Sequence, residues 1–233
     1  MAEAVAKDPG YALAQSMHAL LIAENVINGL SEHSDAELAE AHKAATLALR
    51  LAPRDPAVLG TSGCALAYCV DYRKALESLR HAVKAAPFDL GAWGYMGWPL
   101  AATGSKADIE ELLKITERLI LSAPSHPGVP YWQYHRSVAL ASTGDYAGAI
   151  DAIEACLAEQ PEFAIGLMHY ANVLGEAGRI EDAISAVSKA LQANSALTVQ
   201  RYAEIIGQLT DQKNVREQRL AGLRKAELLV TDN

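Results

Sequence analysis

The sequence predicts an all-α fold built from one repeated helix pair, and three observations support this prediction. The 233 residues are 51% hydrophobic and 21% charged, a balance typical of a folded chain with a sizeable core. Alanine, the best helix former, is abundant, whereas no segment alternates apolar and polar residues over the length of a strand. Segments that end a helix recur at a nearly constant interval, which indicates a repeat architecture.

The repeat is defined by the positions at which helical segments stop. These stops are Pro9, Pro53, Pro87, Pro124, Pro161 and Ser195. Proline stops a helix because it lacks the backbone N–H and its ring clashes with the preceding turn. Successive stops are 44, 34, 37, 37 and 34 residues apart, so the sequence indicates a 34-residue unit with loop insertions. The longest insertion lies around residues 25–35.

Each unit has the same order of small and large residues along its two helices. In the first helix a small residue precedes an aliphatic one by three positions, in the pairs Ala19/Ile22, Gly63/Leu66, Gly97/Leu100, Ser137/Leu140 and Ala171/Leu174. A short turn follows, clearest in TGDYAGAI and AGRIEDAI. The second helix then opens on Ala41, Ala75, Ala149 or Ala183. Small residues at helical spacing let two helices approach closely, while the aliphatic residues bury the seam.

This pattern resembles the tetratricopeptide repeat, a 34-residue helix–turn–helix unit with the same small and large positions and a late proline. The resemblance implies a right-handed solenoid that forms a single domain over residues 1–233. Its expected repeats are approximately 10–53, 54–87, 88–124, 125–161 and 162–195, followed by a degenerate capping helix pair over 196–233. Because the last helix is rich in Arg, Lys and Glu, we expect it to face solvent.

The third repeat departs from this pattern in two ways. Pro99 lies inside its first helix and should kink or break that helix, because the ring leaves the Tyr95 carbonyl without its helical partner. Leu112 and Thr116 stand where alanine and a larger apolar residue are usual. Because of these two residues we expect the helices of the third repeat to pack more loosely.

The two ends of the chain suggest a larger parent protein. Residues 2–9 have the pattern of the end of a second helix, so we expect the chain to be the C-terminal piece of a longer one. The segments DPGYALA and Leu223–Ala226 (LRKA) are similar to the C-terminal repeat regions of bacterial class III adenylate/guanylate cyclases, although Glu227 replaces a glycine. Similar repeats also follow winged-helix DNA-binding domains in bacterial transcriptional regulators, which is the alternative context.

Charge and motif content exclude several functions. A net charge of −8 argues against nucleic acid and anionic membrane surfaces as partners. No apolar run reaches the roughly 18 residues of a membrane helix, so we expect no membrane insertion. Three cysteines within apolar helical patterns suggest buried, reduced thiols and a cytoplasmic location. Phosphate-binding glycine loops, GxSxG and HExxH are missing from the sequence, so we expect no catalytic residues, no cofactor and no metal site.

The first helices of a repeat solenoid line its concave face, where partners usually bind. Counting around these helices predicts an inward stripe that is rich in aromatic residues and has Glu24 and Glu176 near its edge. The members we expect to bind are Tyr68, Tyr95, Trp98, Tyr131, Tyr134, His135, Met168, His169 and Asn172. Tyrosine and tryptophan supply stiff contact area with a polar tip, which suits protein recognition.

A simpler interpretation of each ring is that it fills the space between adjacent repeats. With the stripe as the site, the sequence predicts a non-catalytic interaction scaffold with a protein or peptide partner. The alternative is a self-association module that forms a homodimer.

Overall fold

The computed structural model describes residues 2–28, 30–31 and 34–228, and among these residues every regular element is an α-helix, as predicted. The helices divide into two compact units, one up to Pro99 and one from Leu100 onward. Each unit is described by itself, and the single repeat domain over residues 1–233 stays a prediction.

The first unit contains two complete helix pairs and the start of a third. Its helices are α1 (Ala2–Lys7), α2 (Ala12–Ile27), α3 (Ser34–Leu51), α4 (Pro56–Tyr68), α5 (Tyr72–Ala85) and α6 (Leu90–Tyr95). Helices α2 and α3 pack together, as do α4 and α5, and α2 also packs against α4. This is the predicted arrangement, in which first helices lie beside first helices. Part of the insertion lengthens α3, which has 18 residues where α5 has 14; residues 29, 32 and 33 lie outside the described part.

Helix α7 (Gly97–Thr103) carries the boundary between the units. The predicted break at Pro99 is confirmed, because α6 ends at Tyr95 and α7 begins two residues later. The Tyr95 carbonyl is the acceptor that a continuous helix would have paired with the N–H that proline lacks.

The second unit contains α8, two further helix pairs and the two C-terminal helices. Its helices are α8 (Lys106–Ser122), α9 (Val129–Thr143), α10 (Tyr146–Glu159), α11 (Ala164–Glu176), α12 (Ile180–Ala193), α13 (Val199–Leu209) and α14 (Lys213–Lys225). Helices α9 and α10 pack together, as do α11 and α12. Leu112 and Thr116 of α8 are both buried, and the threonine hydroxyl donates to the Leu112 carbonyl at 2.9 Å. The looser packing expected for the helices of this repeat stays a prediction.

Local sequence signals account for where the helices start and turn. Asp55 begins α4 by accepting hydrogen bonds from the backbone N–H groups of Ala57 and Val58, at 2.9 and 3.2 Å. Gly144 ends α9 with φ at 85°, a left-handed conformation that glycine adopts without strain. The small residue Gly63 permits contact with the second helix of its repeat, because a Cβ there would lie 2.7 Å from Leu79 Cγ.

The predicted capping helix pair is present as α13 and α14, but α14 does not face solvent on all sides. It packs against α11, and it buries Arg219, Leu220, Gly222 and Leu223. The other charged side chains of this helix are exposed or partly exposed, whereas Arg219 is buried. The inner face lies on the first helices of the second unit.

Candidate functional site

Seven of the nine predicted binding residues fall on two surfaces, one in each unit. The first-unit face comprises Tyr68 and Tyr95 together with Glu24 and Cys64, which interact with them. The α9–α11 face comprises Tyr134, His135, Met168, His169 and Asn172 on the two first helices of the second unit.

The remaining two predicted residues are not members of either face. Trp98 is buried within α7, with 5% of its surface exposed, so its ring packs in the interior as the simpler interpretation of the stripe had it. Tyr131 is 49% exposed, and its ring meets that of Phe163 edge-on at 5.8 Å between centroids.

On the α9–α11 face, Tyr134, Met168, His169 and Asn172 are all buried. The α14 helix covers this face and bonds to it directly. Arg219 Nη2 donates to the Tyr134 hydroxyl at 2.8 Å. Asn172 Oδ1 accepts from the Gly222 backbone N–H at 2.9 Å, and Asn172 Nδ2 donates to the Gln218 carbonyl at 3.3 Å. The predicted recognition residues therefore already hold a helix of the same chain.

A buried polar network lies beneath α14. Ser137 donates its hydroxyl proton to the Ala149 carbonyl at 2.7 Å, so the Ser137 oxygen accepts from His169 Nε2 at 3.0 Å. The Tyr134 ring packs edge-on against the His169 ring at 5.4 Å. This assignment makes His169 a neutral imidazole whose proton is on Nε2.

Burial sets the protonation of this network. It lowers the pKa of His135 to about 4, and the positive charge of Arg219 acts in the same direction. The same two causes hold the pKa of His169 well below its usual value. Burial also raises the pKa of the Tyr202 hydroxyl to about 12. At neutral pH the two histidines are uncharged, and the network carries the single charge of Arg219.

The first-unit face is only partly covered. Tyr68, Tyr95 and Glu24 are each half-buried. Burial raises the pKa of the Glu24 carboxyl, so its charged form has lost part of its hydration. Burial, followed by the neighbouring Cys64 and Glu24, raises the pKa of Tyr95 to about 12. The face thus combines two tyrosine rings with a carboxylate that an incoming cation would stabilise.

The cysteines behave as predicted for core residues. Cys64 and Cys156 are buried, and the half-buried Cys69 donates its thiol to the Leu38 carbonyl at 3.3 Å. Burial raises the pKa of the Cys156 thiol to about 12. Within residues 2–28, 30–31 and 34–228, no three His, Cys, Asp or Glu side chains are grouped closely enough to hold a metal ion. No described helix is long and apolar enough to span a membrane.

An open cleft of about 500 Å³ lies on the other side of the second unit, between α10, α11 and α12. Tyr170 lines it and donates a hydrogen bond to Glu154. The cleft was not predicted from the sequence, because its lining comes from second helices and from the outward side of α11.

Sequence analysis also missed Arg219 and Gly222, the two residues by which α14 docks. A signal for them exists. Glycine inside a helix costs stability unless another backbone approaches it, and both α11 and α14 carry such a glycine, Gly175 and Gly222. Gly222 lies inside α14 and Gly175 is the next-to-last residue of α11, so each helix has a position at which another backbone can approach closely.

Solved structures share this architecture. PilW, a widely conserved type IV pilus biogenesis factor, aligns with a TM-score of 0.62 and 18% identity over 91% of this chain and 92% of PilW. A thermophilic TPR protein from Thermus thermophilus aligns with a TM-score of 0.60 and 17% identity over 84% of this chain and 95% of that protein. A tetratricopeptide repeat protein from Parabacteroides merdae aligns with a TM-score of 0.57 and 16% identity over 97% of this chain and 82% of that protein.

The chain therefore has an all-α, tetratricopeptide-repeat-like fold. No family model and no curated protein sequence matches it. At these identities the structural similarity defines the fold, and function must be argued from the two faces.

Proposed function

We propose that this chain is a non-catalytic interaction scaffold that binds a helix or peptide of a partner protein on the inner faces of its first helices. The main support for this proposal is that α14 lies on the α9–α11 face and bonds to Tyr134 and Asn172. A face of this kind is thus able to hold a helix through a tyrosine hydroxyl and an asparagine amide.

The first-unit face is the open surface for a partner. Tyr68 and Tyr95 offer rings with polar tips, which are frequent anchors at protein interfaces. Glu24 adds a partly desolvated carboxylate, and the chain as a whole has a net charge of −8. A partner segment with an apolar face and one lysine or arginine complements these features, because its cation restores the electrostatic stabilisation that Glu24 loses on burial.

Site-specific photo-crosslinking tests this proposal. A photoreactive phenylalanine analogue is placed at position 68 or 95 in the full chain. The control position is Phe88, an aromatic residue that is 92% exposed and is not one of the residues of the face. We expect one discrete crosslinked partner from positions 68 and 95 and none from position 88. Replacing Glu24 by Gln should weaken the crosslinks at least threefold. Equal crosslinking at all three positions would refute a specific site there.

The parent context is a further part of the proposal. The resemblance of Leu223–Ala226 to cyclase-associated repeats favours a bacterial signalling protein in the cytoplasm, with a winged-helix regulator as the alternative. Leu223 and Ala226 are buried, so this segment also serves the packing of α14. Reading the DNA upstream of the first codon tests the context: a frame that continues into a cyclase or DNA-binding domain supports it, and an in-frame stop before the start codon refutes it.

Self-association remains the second proposed use of the surface. Light scattering after size exclusion decides it, since a monomeric mass at high protein concentration removes the homodimer.

A further inference from the structure

The α9–α11 face recognises the backbone of a helix, and Asn172 is the residue that does so. Its amide bonds to the Gly222 N–H and to the Gln218 carbonyl. These are the two groups that a regular α-helix pairs with each other, four residues apart. The Asn172 amide therefore bonds to both ends of one backbone turn of α14. It can reach these backbone groups only if no side chain of α14 lies between them and Asn172.

Glycine provides this access. A Cβ on Gly222 would overlap the Asn172 carbonyl and would lie 2.7 Å from the Glu176 backbone nitrogen. A Cβ on Gly175 would overlap the Gly222 carbonyl. The backbones of α11 and α14 are thus in direct contact where the two helices cross. Any helix that binds the face in this way needs a glycine at the crossing point.

Side chains of α14 before and after this glycine also bond to the face, and these contacts define which other residues a bound helix needs. Three residues before it, Arg219 bonds to the Tyr134 hydroxyl at 2.8 Å. Four residues before it, Gln218 Nε2 donates to the carbonyls of α9 at Ala141 and Ser142, at 3.3 and 3.0 Å. Three residues after it, Lys225 Nζ lies 3.0 Å from Glu176 Oε1.

The occupant is held by a modest apolar contact and by polar groups that must be desolvated. The buried apolar side chains of α14 are Val215, Leu220 and Leu223, and their burial stabilises the docked helix. Burial of the Arg219 charge has the opposite effect, because a charged group loses its hydration. The chain just before α14 is anchored separately, because Thr210 is buried and donates to the Ala102 carbonyl at 3.0 Å. Residues 211–212 that follow are exposed, so α14 can leave the face while α13 stays in place.

We propose that the α9–α11 face is a recognition site for a cationic partner helix with the pattern Gln-Arg-x-x-Gly-Leu-x-Lys, and that α14 is an internal ligand which such a helix displaces. The inference rests on the proposed scaffold function, and it adds the class of partner and the competition that limits access. The partner binds in the register of Gln218–Lys225, with its glycine on Asn172 and its lysine on Glu176.

A labelled synthetic peptide of residues 213–228 tests this by fluorescence anisotropy against the full chain. In the Gly222→Ala chain the internal helix is dislodged, so the face is open to the peptide. An internal helix that occupies the face in nine-tenths of the molecules weakens apparent affinity about tenfold. We therefore expect the peptide to bind the Gly222→Ala chain at least about tenfold more tightly than the wild-type chain.

Two controls accompany the measurement. The Gly207→Ala chain changes a glycine in α13 at which a Cβ meets nothing within 4 Å, and it should bind the peptide like wild type. A peptide that carries Gly222→Ala should bind the opened chain at least about tenfold more weakly than the native peptide. Equal binding of the two peptides, equal affinity of the Gly222→Ala and Gly207→Ala chains, or no binding at all overturns the proposal.

If the Gly222→Ala chain loses its helical circular dichroism, the Lys225→Glu chain replaces it. That change reverses the charge opposite Glu176 on a side chain that is 56% exposed, so it weakens the docking of α14 without a backbone clash. It should bind the native peptide severalfold more tightly than wild type, and unchanged affinity overturns the proposal. Crosslinking at positions 68 and 95 is independent of α14, so a failure here with success there leaves the scaffold function standing.

Discussion

Acidification should destabilise the fold through the two histidines beneath α14. His135 and His169 are neutral in the folded chain, because burial and the neighbouring Arg219 charge lower the pKa of each. In the unfolded chain both are hydrated and titrate with the ordinary pKa of about 6.5. The unfolded state therefore binds more protons than the folded state wherever the pH lies between the two values.

The sign and size of the effect follow from this difference. A histidine with a lowered folded-state pKa contributes its stability above pH 6.5 and loses it as the pH falls toward the folded-state value, which is about 4 for His135. Each unit of difference is worth about 1.4 kcal/mol, so His135 alone removes about 3 kcal/mol between neutral pH and pH 4. His169 acts in the same direction. This loss is a large part of the stability of an ordinary domain.

Urea unfolding followed by circular dichroism, at several pH values from 7.5 to 4.0, measures this loss. The comparison is between wild type and the double variant His135→Gln/His169→Gln, because carboxyl titrations are common to both proteins and cancel in the difference. Over that range the unfolding free energy of wild type should fall at least about 3 kcal/mol more than that of the variant, because His169 adds to the share of His135. His81→Gln, which changes an exposed histidine, should follow wild type. Parallel curves for wild type and the double variant would refute the reasoning.

Three further predictions concern stability, each measured by urea unfolding at pH 7.5. Ser137→Ala leaves two buried polar groups without their partner and should lower the unfolding free energy by about 1–3 kcal/mol. The control Ser142→Ala removes only a bond within its own helix and should lower it by less than about 0.5 kcal/mol. Equal losses would contradict the buried network. Gly144→Ala should cost about 1 kcal/mol because φ is 85° there, and Gly207→Ala should be neutral or stabilising; a neutral Gly144→Ala would be evidence against the left-handed cap. Asp55→Ala removes the N-terminal cap of α4 and should lower the unfolding free energy by about 1 kcal/mol. Asp55→Asn should lower it much less, because the asparagine oxygen accepts the same hydrogen bonds; an equal loss in both variants would instead indicate a purely electrostatic role.

The candidate site was only partly predictable from the sequence. Repeat spacing placed Tyr134 and Asn172 on the inward side of first helices, and both do contact a helix there. The sequence did not show that the helix is α14, because the contact joins residues about 50 and 85 positions apart. Trp98 has the same inward spacing but is buried beside a helix break, where the register of a continuous helix no longer applies.

The prediction of an open aromatic stripe treated each first helix as equally exposed. In the first unit this agrees with the half-buried Tyr68 and Tyr95. In the second unit α14 returns across the face, as shown by the Gly222 N–H that bonds to Asn172 Oδ1, 50 residues earlier in the chain. Repeat periodicity describes neighbours within and between units, and it carries no information on a return of this kind.

The amino-acid sequence by itself determined the helices, their caps and their pairing, because these depend on local causes: apolar spacing along one helix, Asp55 at an N-terminus, and Gly144 and Pro99 where the backbone must turn or break. Only the tertiary structure decided where α14 lies. Its position depends on a backbone-to-backbone crossing at Gly222 and on an amide from Asn172. Such contacts form between backbones that distant parts of the chain bring together, so Gly222 indicates in the sequence that a backbone can approach α14 but not which helix does so.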